Sequence, residues 1–160
     1  MTTIPVPAPP LFGQNNFEPA RRICRGTIRL LHAMGYASTV ELPLPSGRRA
    51  DVVAVGPSGE IWIVEVKSCL ADFRTDQKWE EYRAHCDRLF FAVDCDFPQE
   101  VIPEEAGLMV VDGDGGAILR EAPAHPLVAA SRKAVMLRIA RISSSRLAAI
   151  NDPKTQSELF

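Results

Sequence analysis

The residues that most constrain the fold run from Asp51 to Tyr82, because they contain two short apolar runs on either side of a turn. The first run, DVVAV, and the second, IWIVEVKS, are rich in β-branched and aromatic residues, and the connecting GPSGE is rich in glycine and proline. This pattern predicts a β-hairpin. Asp51, Glu65 and Lys67 are charged at positions where an enclosed strand carries apolar side chains, so they mark a candidate site.

Pairing across the hairpin predicts that its two acids lie together. If residues 56–60 form the loop, Asp51 lies directly opposite Glu65. Directly opposed Cβ atoms are about 4.5–5.5 Å apart, and like charges there repel unless a cation or a proton relieves them. Because side chains alternate between the two faces of a strand, Lys67 faces the same side as Glu65.

Two carboxylates and an amine in this arrangement suit metal-assisted cleavage of a phosphodiester. Mg²⁺ and Mn²⁺ prefer hard oxygen ligands, so Asp51, Glu65 and the main-chain carbonyl of Val66 are the predicted metal ligands. Lys67 would hold a phosphate oxygen or orient or deprotonate the attacking water. The alternative interpretation is an ion pair between Glu65 and Lys67 near a strand end, with Asp51 as a solvated strand start.

An Asp on one strand, Glu-x-Lys on the next and then a helix with polar and aromatic residues resembles the PD-(D/E)XK nuclease superfamily over roughly residues 18–95. The longer block EVKSCLADFRTDQKWEEYRAHCDRLFFAVD looks like the MmcB-like DNA repair proteins, formerly a family of unknown function. The resemblance implies an α/β fold, with a restriction-endonuclease-like mixed β-sheet flanked by helices. It also implies a role on DNA.

The resemblance extends to polar residues after the Glu-x-Lys strand. It implies that Gln77 approaches the metal-bound phosphate as a catalytic residue, although Lys78 has the matching four-residue separation from Tyr82. Arg48 and Arg49 form a short basic loop ahead of the first acid, so we expect them to contact nucleic acid together with Lys78 and Tyr82. An ordinary solvated surface loop is the alternative for the two arginines.

The chain departs from the superfamily pattern at one position. Many of these nucleases carry a glutamate on the helix before the sheet, and the matching position here holds Cys24, with Glu18 further back. Glu41, within the predicted first strand, could replace the missing acid if it points toward Asp51. The alternative is that Glu41 is a surface residue.

Periodicity predicts the other elements, in a sheet of five or six strands. Helices are expected at 16–34, at 75–87 and from 125 onward with a frayed stretch at 143–145, and strands at 36–44, 89–93, 108–112 and 117–120. A helix that joins two strands makes a right-handed crossover, so the strands on either side of the second helix should be parallel. The proline-rich residues 1–13 predict a flexible arm, 14–150 the PD-(D/E)XK nuclease-like domain and 151–160 a tail.

Composition limits the partners. A chain of 160 residues fits one domain, and its net charge of −2 argues against indiscriminate coating of DNA while leaving local basic patches possible. The four cysteines have no CxxC spacing, which favours reduced thiols in the cytoplasm. No apolar run approaches the roughly 18 residues of a membrane span, and no signal peptide is evident. The last long helix leaves a homodimer open.

Two functions from different classes fit these residues. The first is a magnesium-dependent deoxyribonuclease that hydrolyses phosphodiester bonds of structured or damaged DNA in repair. The second is a catalytically inactive protein of the same fold that binds DNA structures in repair. An RNA-processing nuclease would use the same site.

Overall fold

The molecule is organised around a single mixed sheet. The computed structural model describes residues 18–76 and 78–155, and the six strands found there follow chain order in the sheet. The strands are β1 (Ala37–Pro43), β2 (Arg49–Val55), β3 (Ile61–Val66), β4 (Arg88–Val93), β5 (Gly107–Val111) and β6 (Gly116–Arg120). β3, β4 and β5 run parallel, and the other neighbours pair antiparallel. The predicted α/β fold with a mixed sheet is confirmed.

Helices cover both faces of the sheet. The α-helices of the described residues are α1 (Glu18–Ala33), α2 (Leu70–Thr75) and α3 (Ala129–Asn151), and the 3₁₀ helices are Trp79–His85, Gln99–Val101 and Pro153–Thr155. The predicted arm at 1–13, the end of the predicted tail after residue 155, and Gln77 lie outside the described residues.

The β2–β3 hairpin has the predicted register. Val55 pairs with Ile61 and Val53 with Ile63 around a loop of residues 56–60. Gly59 has a φ of 86°, a left-handed conformation that glycine adopts without a steric penalty, which explains its place in the turn.

The alternation of β3 places its neighbouring side chains in different cores. Val64 packs with the apolar face of α1 through Ile23, whereas Ile63 packs with α3 through Val135 and Ile142. All six residues of β3 are buried, because the strand is central and helices cover both of its faces. The enclosure makes a charged residue at this strand energetically costly, and Glu65 is one.

The predicted helix at 75–87 is wrong in its bounds and in its type. The chain instead forms the short helix α2 directly after β3 and then the 3₁₀ helix Trp79–His85. Three residues per turn place Trp79 and Tyr82 on the same side, and the Trp79 ring meets the Phe91 ring of β4 edge-on at 5.7 Å. The predicted parallel pairing of β3 with β4 across this connection is confirmed.

The last helix also differs from the prediction. α3 begins at Ala129 because the preceding residues are tied in an extended conformation to Asp87, which accepts the Leu127 N–H at 2.8 Å and binds the Arg132 guanidinium at 2.7 Å. The helix continues through Ser143–Ser145 to Asn151 without a break. None of the helices in the described part of the chain has an apolar stretch sufficient to cross a membrane.

Candidate active site

A cleft of about 550 Å³ lies at the ends of β2 and β3, next to the start of α1 and to α2. Five acidic side chains line it: Glu41, Asp51, Glu65, Asp72 and Asp76. Four cationic side chains line it as well: Arg21, Arg48, Arg49 and Lys67. The cleft therefore brings together charges from residues far apart in the chain, with one more acid than base.

Asp51 and Glu65 lie side by side where β2 and β3 separate. The regular pairing of the two strands stops at Val52 and Val64, and beyond it each carboxylate accepts a backbone N–H of the opposite strand. Glu65 Oε1 accepts the N–H of Asp51 at 3.1 Å, and Asp51 Oδ2 accepts the N–H of Val66 at 2.8 Å. The acids thus replace strand–strand hydrogen bonds, which explains why both side chains point between the strands.

Burial disfavours the ionised form of both acids. Burial raises the pKa of Asp51 above its ordinary value, although the Val66 N–H and the Lys67 charge act in the opposite direction. Burial, reinforced by the negative charge of Asp51, raises the pKa of Glu65 well above its ordinary value. Only 3% of Glu65 is exposed, so water does little to screen the repulsion.

Lys67 supplies the positive charge beside the pair. It follows β3 directly, and its backbone N–H donates to the carbonyl of Ala92 at 3.0 Å, which keeps the residue aligned with β4. The buried ammonium group donates to Asp76 Oδ2 at 2.8 Å. Burial acts to lower the pKa of Lys67, but the hydrogen bond to Asp76 and its charge outweigh burial and raise that pKa, so Lys67 stays protonated.

The acid pair offers the hard oxygen ligands that Mg²⁺ and Mn²⁺ prefer. Its oxygens are hard ligands, and a cation between Asp51 and Glu65 would relieve the repulsion that raises their pKa values. In the described part of the chain, no group of three or more His, Cys, Asp or Glu side chains is arranged around a common metal position. An ion here would therefore use two carboxylates and complete its shell with main-chain oxygen and water, as Mg²⁺ commonly does.

The two arginines predicted to contact nucleic acid have different surroundings. Arg48 donates from Nε to Glu81 Oε2 at 2.6 Å, and its guanidinium carbon lies 5.8 Å from the centre of the Tyr82 ring. Arg49 lies 3.7 Å from Glu41, and 66% of its side chain is exposed. Arg49 is therefore the more accessible of the two for a phosphate. A phosphate bound at Arg48 would share the guanidinium group with Glu81.

Tyr82 and Lys78 are both near the site but play different structural roles. Tyr82 lines the cleft with 5% of its surface exposed, and its hydroxyl donates to the carbonyl of Arg49 at 3.2 Å. Burial, together with the negative charge of Glu65, raises the pKa of Tyr82. Its ring is enclosed and cannot stack broadly on a base. Lys78 is exposed and is not among the cleft-lining residues, and Gln77 lies outside the described residues.

Glu41 lines the cleft, whereas Glu18, the acid of α1, is not among the cleft-lining residues. Glu41 has a φ of 49°, which costs a non-glycine residue about 1–3 kcal/mol, and it interrupts the pairing of β1 with β2. Three hydrogen bonds from Arg146 of α3 hold this bend, among them one to the Glu41 carbonyl at 3.1 Å. Burial, with the charges of Asp51 and Glu41, raises the pKa of the Cys24 thiol to about 12, so Cys24 is a neutral neighbour of the acids.

Asp72 and Asp76 are the site residues that sequence reasoning missed. Both enter the cleft from α2 and its C-terminal cap. The sequence predicts Thr75 or Asp76 as the N-terminal cap of a helix over 75–87, whereas Asp76 caps the C-terminal end of α2. The available signal was the position of two acids shortly after the Glu-x-Lys strand, but only the turn of the chain through α2 brings them back over the strand ends.

A six-stranded mixed sheet with helices on both faces is consistent with a restriction-endonuclease-like architecture.

The chain belongs to the MmcB-like family, whose model, described as DNA repair protein MmcB-like, matches residues 8–154. Its fold is similar to that of SPO1766, a protein of unknown function from Silicibacter pomeroyi, with a TM-score of 0.84 and 41% sequence identity over 91% of this chain and 99% of that chain. The curated proteins contain no match. Family membership therefore indicates a role in DNA repair.

Proposed function

We propose that the protein is a Mg²⁺- or Mn²⁺-dependent nuclease that hydrolyses phosphodiester bonds in structured or damaged DNA during repair. The observation that carries the proposal is the pair of buried carboxylates, Asp51 and Glu65, which share a cleft with a protonated lysine. Neutral side chains could accept the same two backbone N–H groups, so the hydrogen bonds alone do not account for two acids that repel each other when ionised. A divalent ion would remove the repulsion and give both acids a function.

The residues of the cleft would have different roles in hydrolysis. Asp51, Glu65 and the main-chain carbonyl of Val66 would hold the ion, and when bound it lowers the pKa of a water molecule and neutralises charge that develops on the phosphate. Lys67, kept protonated by its surroundings, suits the role of a hydrogen-bond donor to a phosphate oxygen better than that of a general base. Arg49, exposed at the rim, would contact the neighbouring phosphate backbone.

A second candidate function is a protein that binds DNA structures in repair without cutting them. Two observations favour it: the ammonium group of Lys67 is already engaged by Asp76, and the acids of the cleft outnumber its cations. A site of this kind would hold DNA through its rim and leave the phosphodiester intact.

Cleavage assays with purified variants separate the two functions. Single-stranded, nicked and branched DNA, with RNA of matching sequence, would be incubated with Mg²⁺ or Mn²⁺ and the wild-type protein, Asp51→Asn or Lys67→Ala. Asp114→Asn is the matched control, because this acid lies on an exposed loop away from the cleft, with 94% of its side chain exposed. We expect the wild type and the control to cleave and both cleft variants to lose about 100-fold or more in rate.

The outcomes have distinct meanings. Equal cleavage by all four proteins would identify a contaminant and refute the nuclease proposal. DNA binding by the wild type without cleavage in either metal would support the second function. Faster cleavage of RNA than of DNA would keep the site chemistry and change the substrate.

A further inference from the structure

The carboxylate of Asp76 lies between two cations of the cleft. Its Oδ2 atom accepts a hydrogen bond from Lys67 Nζ at 2.8 Å, and its Oδ1 atom lies 4.0 Å from the guanidinium nitrogen Nη1 of Arg48. Both oxygens therefore face positive charge. A phosphodiester also carries one negative charge and offers acceptor oxygens of the same type, so the same two cations can bind it.

The helix α2, which Asp76 directly follows, makes few contacts with the rest of the domain. α2 has no buried residue, and the ring of Phe73 provides its aromatic contacts, at 5.5 Å from Phe91 and 6.4 Å from Phe97. Asp76 follows the last turn, where its backbone N–H donates to the Phe73 carbonyl at 3.2 Å. Withdrawal of the Asp76 side chain from the cations would thus disrupt little packing.

We propose that Lys67 and Arg48 form a subsite for a substrate phosphate and that Asp76 occupies this subsite until a phosphodiester displaces it. The inference rests on the proposed function, because it takes a nucleic-acid phosphodiester as the ligand. Asp76 is then a positioning residue: its hydrogen bond holds the ammonium group of Lys67 in the cleft in the absence of DNA. Asp76 also lowers the affinity of the subsite for phosphate, since a ligand must compete with a carboxylate that already pairs with the two cations.

The subsite explains why Lys67 is buried in the cleft and paired with Asp76. Lys67 is buried, and a buried ammonium group without a partner is costly, so a lysine reserved for a substrate needs a substitute anion in the free protein. Asp76 supplies that anion from a segment next to β3 in the chain. Glu81 has the corresponding role for Arg48, whose Nε donates to it at 2.6 Å.

The test compares Asp76→Asn with Asp72→Asn, which removes the same charge from the same segment and the same cleft. Affinity for a short fluorescein-labelled DNA strand would be measured in EDTA by fluorescence anisotropy, so that neither cleavage nor metal binding contributes. We expect Asp76→Asn to bind about fivefold more tightly than Asp72→Asn, because it removes the competing anion and not only a nearby charge. Asp76→Glu, which restores the carboxylate, should return the affinity toward that of the wild type.

A second measurement does not depend on DNA. The chain has four lysines, so the side-chain resonance of Lys67 can be identified by NMR with a Lys67→Arg variant and followed as inorganic phosphate is added. We expect Lys67 to respond to phosphate at lower concentration in Asp76→Asn than in the wild type or in Asp72→Asn. The backbone hydrogen bond of residue 76 is unchanged by the substitution, and thermal unfolding would verify that the variant is folded.

Equal DNA affinities for Asp76→Asn and Asp72→Asn, or a Lys67 resonance that responds alike in both, would overturn the subsite. A protein that binds no DNA but shows the predicted phosphate response would refute the proposed function and leave the subsite intact.

Discussion

Replacement of Glu65 by glutamine removes an ionisable group from the buried acid pair and preserves the shape of the side chain. The amide oxygen can still accept the Asp51 N–H, which Glu65 accepts at 3.1 Å. Burial of a carboxylate costs several kcal/mol, and hydrogen bonds to the charged group offset about 1.5–3 kcal/mol of that cost. The nearby ammonium group of Lys67 offsets a further part. In EDTA at pH 7.5 we therefore expect Glu65→Gln to be more stable than the wild type by about 1–3 kcal/mol, or about 2–12 °C in Tm.

The gain in stability has a pH dependence of definite sign. Burial and the charge of Asp51 raise the pKa of Glu65, so the folded protein holds the proton more tightly than the unfolded chain. Stability due to protonated Glu65 is fully present below the unfolded pKa of about 4.3 and is lost as the pH rises through the folded pKa. The advantage of the variant should therefore vanish near pH 4 and reach its full size at pH values above the folded pKa.

Divalent metal should reverse the order of stability. A ligand present at 1,000 times its Kd stabilises the folded state by about 4.1 kcal/mol, and Mn²⁺ should do so for the wild type but not for Glu65→Gln. Urea unfolding and scanning fluorimetry, each in EDTA and in Mn²⁺, measure both effects, with Glu100→Gln as an exposed control. A variant that is less stable than the wild type in EDTA, or equally stabilised by Mn²⁺, would refute the reasoning.

Three further results follow from the packing. Asp87→Asn should lower the free energy of unfolding, measured in urea, by about 2–3 kcal/mol, because the buried Asp87 carboxylate binds Arg132 in the N-terminal part of α3. A loss below about 0.5 kcal/mol would contradict this role. Gly26→Ala should lower the Tm markedly, since the added Cβ would overlap the backbone carbonyl oxygen of Asp112 in the β5–β6 turn. Gly115→Ala, whose Cβ would meet open space, should leave the Tm nearly unchanged. Burial raises the pKa of Cys24 and Cys86 to about 12, so Ellman's reagent should titrate two of the four thiols in the native protein and all four in denaturant; three or four fast thiols in the native state would be inconsistent with that burial.

Local patterns predicted those parts of the fold that depend on neighbours in the chain. The β2–β3 hairpin follows from its alternating and β-branched residues and from Gly59, and α1 follows from its apolar stripe. The connection after β3 was harder, because its form depends on the position of Phe91, on which Trp79 packs. The predicted start of α3 at residue 125 was wrong for a similar reason. Asp87, more than 30 residues earlier in the chain, binds the segment before α3 and holds it extended.

The amino-acid sequence by itself determined that two acids and a lysine would share one end of a hairpin, because the period of a strand and the length of its turn decide which residues are opposed. Only the tertiary structure decided how strongly those charges are perturbed and which partners they have. The burial of Glu65 requires helices on both faces of β3, the bend at Glu41 is held by Arg146 from the far end of the chain, and Asp76 reaches Lys67 through α2. Electrostatic free energies depend on distance and on solvent exclusion, and neither is a property of the local sequence.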